Sequence, residues 1–159
     1  MQTHRPVLNT SLFLRYFLLS TIIVGLLIFL ASFSNSGNLD KEVLKYANEY
    51  RRSRKLPALV MRDDLNDIAR KHSEDMARGK RAFGHGGFDK RTIQIRKVYP
   101  NCTLAENVAY GSPDAKDVIT QWKKSTGHRQ NLLGDFQYTG IGTARDRKGT
   151  LYYTQLFVK

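Results

Sequence analysis

The stretch "WKKSTGHRQNLL", residues 122–133, sets His128 between Gly127 and Arg129, where a polar turn gives way to an apolar helical pair, Leu132 and Leu133. Just upstream, "SPDAKDVITQW" (112–122) carries a helix start. Ser112 suits the N-cap, Pro113 the first helical position and Asp114 the first turn, with Val118, Ile119 and Trp122 following on one face. Just downstream, "TGIGTA" (139–144) and "TLYYTQLFV" (150–158) flank "RDRKG" (145–149), which predicts a β-hairpin with a polar turn. Helix and strand signals this close together predict a mixed α/β domain.

Further upstream the same mixture continues. "LDKEVLKYANEYRRSRK" (39–55) predicts a helix capped by Asp40, with Leu39, Val43, Ala47 and Tyr50 along one face and Pro57 closing it. A second helix opens at Asp63 or Asp64, carries Leu65, Ile68, Ala69, His72 and Met76 at intervals of three or four, and stops at Gly79. That spacing makes His72 a core histidine. "TLAENVAYG" (103–111) suits a third strand, and Glu106 inside it calls for a partner, because a carboxylate buried alone is costly.

The chain has 159 residues, room for one domain beyond an apolar leader. From Tyr16 to Phe33 no residue is charged. At about 1.5 Å per residue this run, extended back over Leu12–Leu14, spans a hydrocarbon core of roughly 30 Å. We expect a tail at 1–11, a transmembrane signal-anchor or signal peptide at 12–33, a linker at 34–38 and a folded domain at 39–159. The domain would then be anchored outside the cytoplasm, or secreted if the leader is cleaved.

All 14 acidic residues and 24 of the 26 basic ones lie at or after Asp40, so the folded part alone carries about +10. Such a balance favours anionic lipid headgroups or cell-wall polymers, while the leader and the lack of a recognition motif argue against nucleic acid. The basic residues are scattered and read as solvated helix faces, the cluster "RRSRK" (51–55) included. A single cysteine, Cys102, excludes a disulfide within the chain and reads as a buried thiol.

Two of the four histidines, His85 in "FGHGGF" and His128, each follow a glycine. His85, Glu106 and His128 have the ligand types of a three-ligand zinc site with an open position, yet nothing in their spacing forces them together. A shared site and separate structural roles both remain open on these residues alone. Asn107 and Asn131 read as hydrogen-bonding braces, and Ser125 as a helix-start residue three positions before His128.

In sequence order, these blocks resemble the CAP superfamily, also called the SCP domain, in its short bacterial branch. The most specific match is W-x-x-S-x-G-H-R-x-N-L-L followed by G-x-G, with the Glu106–Asn107 pair upstream. The resemblance implies an α-β-α sandwich with a small antiparallel sheet between helices, and a cleft that gathers two histidines and two glutamates. His85, Glu106 and His128 match three of these; Ser125 stands where the second acid would be. The resemblance therefore implies a binding module whose cleft, lined by His85, Glu106, Asn107, Ser125 and His128, takes a divalent metal such as zinc or a small or lipid ligand. The alternative is a metal-assisted, peptidase-like hydrolase, and the missing acid counts against it.

Overall fold

The computed structural model describes residues 38–159. The tail, the expected transmembrane segment and all but the last residue of the linker lie outside the described residues. No helix among the described residues is long and apolar enough to cross a membrane.

Residues 38–53 are helical (α1). There follow β1 (Val60–Met61), α2 (Asp63–Ala77), α3 (Phe88–Arg96), β2 (Leu104–Tyr110), α4 (Ala115–Lys124), α5 (Thr126–Leu133), β3 (Tyr138–Arg145) and β4 (Leu151–Val158). The strands form one sheet in the order β1-β3-β4-β2, antiparallel throughout except for the parallel β1–β3 pair. The expected hairpin and third strand are present, whereas the sheet is mixed rather than purely antiparallel. A two-residue strand is too short to show the alternation that reveals strands in a sequence.

On one side of the sheet Ile141, Tyr153 and Phe157 meet Val43, Ala47 and Tyr50 of α1, Val118, Ile119 and Trp122 of α4, and Leu132 of α5 in the larger core. On the other side Leu156 and Val158 meet Leu65 and Ala69 of α2 and Ile95 of α3. Helices thus cover both faces, as the resemblance implied. Gly140 and Gly142 explain how closely α2 lies on β3: a Cβ on Gly140 would sit 2.3 Å from the Leu65 carbonyl carbon, and one on Gly142 2.0 Å from the Arg70 nitrogen. No side chain fits there.

Three local expectations are corrected. Asp40 is not a cap: it lies inside α1, buried, accepting hydrogen bonds from Thr143 (2.8 Å) and Arg70 (2.9 Å). Burial outweighs these partners and raises its pKa above the usual carboxylate range. Ser112 is not the cap of α4 either; Asp114 is, accepting from the Asp117 amide at 2.8 Å, while the buried Ser112 hydroxyl has no hydrogen-bond partner among the described residues. Asp114 competes better because its carboxylate also meets the positive end of the helix. Finally, Arg51 is no solvated residue. It is 1% exposed, and its guanidinium donates to the carbonyls of Pro57, Leu132, Gly134 and Phe136.

Candidate functional site

β2 is an edge strand, and it carries Glu106 and Asn107. Its register places Glu106 opposite Leu156, on the α2 side of the sheet, and Asn107 opposite Gln155, on the α1 side. Neighbouring residues of one strand therefore reach towards different helices.

Glu106 has the partner its sequence context demanded. Arg91 of α3 grips it with two hydrogen bonds, Nε to Oε2 at 2.8 Å and Nη2 to Oε1 at 2.7 Å, and the Glu106 side chain is only 1% exposed. Such a bidentate pair is the strong form of the interaction. Behind Arg91 stands His72. Arg91 Nη1 donates to Gly86 O at 3.0 Å and lies 3.2 Å from His72 Nδ1. Because a guanidinium only donates, His72 Nδ1 is the acceptor, so Nε2 carries the proton and donates to Gly84 O at 2.9 Å. Burial, and then the Arg91 charge, hold the His72 pKa below its ordinary value. His72 is buried as expected, and it also pins the loop that carries His85.

His85 Nδ1 is 2.9 Å from Glu106 Oε1. A carboxylate only accepts, so Nδ1 bears a proton, and Nε2 has no hydrogen-bond partner among the described residues. The side chain is 53% exposed, with one edge locked and the other open. His128 stands near it at the start of α5, partly buried, its ring 6.2 Å from that of Trp122. Burial first, and the field of His85 second, lower the His128 pKa. That lowering favours the neutral, ligand-competent form of the His128 ring.

The braces hold α5 against the strand. Asn107 Nδ2 donates to His128 O (3.1 Å), and Asn131 Nδ2 donates to Asn107 Oδ1 (2.9 Å) and to Glu106 O (3.3 Å). Asn107 is fully buried, so it supports the cleft rather than lining it, a correction to its expected place. Ser125 is exposed at the α4–α5 junction, and no hydrogen bond joins it to His128 among the described residues. Glu106 is likewise no third zinc ligand. Both its oxygens are taken by Arg91 and His85, and no group of three His, Cys, Asp or Glu side chains among the described residues is placed to hold a metal. The three-ligand set therefore does not fit. What fits is a carboxylate that orients one of two histidines, the arrangement commonly found behind metal-binding imidazoles. Arg91 was missed, because only the unpartnered Glu106 hinted that some cation must exist and nothing in "FDKRTIQIR" singled one out.

Residues 44–157 match the CAP family, described as the cysteine-rich secretory protein family. The uncharacterized protein YkwD of Bacillus subtilis is 30% identical over 126 residues, covering 75% of this chain and 46% of the relative. An extracellular protein containing a SCP domain from Bacillus anthracis superposes with a TM-score of 0.65 at 27% identity, over 78% of this chain and 41% of that one. A cysteine-rich secretory protein from Staphylococcus aureus gives 0.63 at 27% identity, over 77% and 39%. The chain spans less than half the length of each of these relatives. With the family match over most of its length and these bacterial relatives, the chain belongs to the CAP superfamily as one of its bacterial members.

Proposed function

We propose that this domain is an extracytoplasmic binding module, tethered by its leader, whose cleft takes a divalent metal ion such as zinc through His85 and His128. The observation that carries this reading is the half-open His85 ring, locked at Nδ1 by a carboxylate that Arg91 in turn holds rigid. Order is already built in before any ligand arrives, and water completes the coordination of a two-histidine site. An outside location accords with the B. anthracis relative, an extracellular protein, and the basic surface suits anionic headgroups or wall polymers. The hydrolase reading finds less support. Ser125 replaces the second acid, and Glu106, clamped by a guanidinium, is poorly placed to carry protons.

The test is calorimetry of the metal-free full chain with zinc at pH 7.5. One site is expected, largely lost in His85→Ala and in His128→Ala and kept in His72→Ala. Affinity should weaken below about pH 6, as imidazoles with ordinary pKa near 6.5 take up competing protons. Absence of zinc heat, or equal loss in His72→Ala, would overturn the metal reading.

A further inference from the structure

A second cavity lies between α2 and α3, on the far side of the Arg91–His72 pair. It has a volume of about 440 Å³, and its lining includes Asp64, Asp67 and Asp75 of α2 together with Arg81, Lys90 and Arg91. That volume falls in the range of small-molecule sites. Its charges are not all equally available. Asp75 is held by Lys71, Asp67 by Arg70, Asp64 by the Tyr99 hydroxyl, and Arg91 is committed to Glu106. Two cations remain. Neither Arg81 nor Lys90 makes a side-chain hydrogen bond or ion pair among the described residues.

The Arg81 backbone is anchored at its amide. Its amide donates to Asp75 O at the end of α2, and its guanidinium lies over the backbone of Gly86 and Gly87. Gly87 has φ +73, a backbone conformation that favours glycine, and a Cβ there would come within 2.9 Å of Arg81 Nη1, so the guanidinium tip lies close over this turn. A guanidinium that lies over these glycines, feels the Asp75 charge without bonding to it, and has no hydrogen-bonded acceptor among the described residues can receive a planar or tetrahedral oxyanion, and the exposed Lys90 adds a mobile second charge to the same lining.

We propose that this cavity is a second site, for the oxyanion of a small polar molecule, carboxylate or phosphoryl, received by Arg81 and Lys90. It is separate from the His85–His128 cleft, and it shares a wall with the Arg91 clamp that orients His85.

The test is titration of the metal-free full chain, at low ionic strength, with inorganic phosphate and separately with acetate, read by calorimetry and by amide NMR shifts. Saturable one-site binding of at least one anion is expected, with the Gly86, Gly87 and Lys90 amides responding before those of α1. Preference for phosphate would assign a phosphoryl group; preference for acetate would assign a carboxylate. Arg81→Gln and Lys90→Gln should each weaken binding about tenfold, while Lys41→Gln and His128→Ala leave it unchanged. The His128 variant separates failure of this site from failure of the metal cleft. Unsaturable response to both anions, shifts spread evenly over the surface, or full binding by an Arg81→Gln/Lys90→Gln double variant would overturn the proposal. The NMR readout on the unaltered chain decides the matter even if a variant fails to fold.

Discussion

Two arginines are buried in this domain, and they serve opposite purposes. Arg51 of α1 spends its donors on four main-chain carbonyls, three of them at and beyond the end of α5, where the helix dipole is negative. Arg91 of α3 spends its donors on Glu106, His72 and one carbonyl. Burial lowers the pKa of Arg51, with the Asp135 charge opposing the shift, yet a guanidinium remains protonated in any case. The hydrogen-bond partners of Arg51 among the described residues are main-chain carbonyls, which do not titrate. The Arg91 network ends on an exposed imidazole. A buried cation satisfied by backbone fixes chain path; one satisfied by side chains can pass order to a site.

The comparison is sharpest where one partner is removed. Arg91→Met should cost about 4 kcal/mol in urea unfolding, because it strands a carboxylate in the interior. Arg91→Met combined with Glu106→Leu should recover most of that loss, since an apolar pair of similar volume replaces a buried ion pair at little net cost. The double variant should still bind zinc at least tenfold more weakly, because His85 has lost the group that orients it. Recovery of both stability and zinc affinity would show that the clamp has no bearing on the cleft.

Arg51→Met should cost somewhat less, about 3 kcal/mol, since it leaves carbonyls rather than a charge without partners. No second side-chain change can repair it, because its partners are main-chain atoms. Zinc affinity in the folded fraction should stay within about twofold of the unaltered protein. A tenfold loss would mean that α5, and His128 with it, depends on Arg51 for its position.

The same contrast explains how much the sequence revealed. Apolar periodicity located α1, α2 and α4 and marked Val43, Ala47, Leu65, Ala69, Val118 and Trp122 as core, because burial along one helix face leaves a regular trace. The G-x-G pair of β3 and the G-H-R block of α5 were legible through the family resemblance, and both fell where close packing and the cleft need them. Polar burial leaves no such trace. Arg51 sat in a cluster that read as solvated, and Arg91 sat in a helix with only Ile95 fully apolar and inward, α3, which was not foreseen at all. Glu106 announced a missing cation without saying where in the chain it was. The cap of α4 was misread for a related reason: Ser112 and Asp114 both suit the role, and local backbone geometry decided between them.

The smallest expected effect concerns pH, and it tests the comparison from the protein's own titration. His72 and His128 both have native pKa values below the ordinary one, principally through burial. For a base whose native pKa is depressed, the unfolded chain binds more protons between the two values. Stability from this source is therefore complete above about pH 6.5 and declines as the pH falls through the native pKa. His72 should dominate, because it is buried and faces Arg91, whereas His128 is partly open to solvent. One proton contributes a slope of at most about 1.4 kcal/mol per pH unit. In His72→Gln, whose amide can still accept from Arg91 and does not titrate, the slope between pH 5 and pH 6.5 should flatten by most of that amount. In Arg51→Met the unfolding free energy should drop by the same amount at every pH in this range, since no histidine meets Arg51. Parallel pH profiles for His72→Gln and the unaltered protein would mean that the Arg91 network is as insensitive to protons as the Arg51 cap, and the distinction between the two arginines would then rest on zinc binding alone.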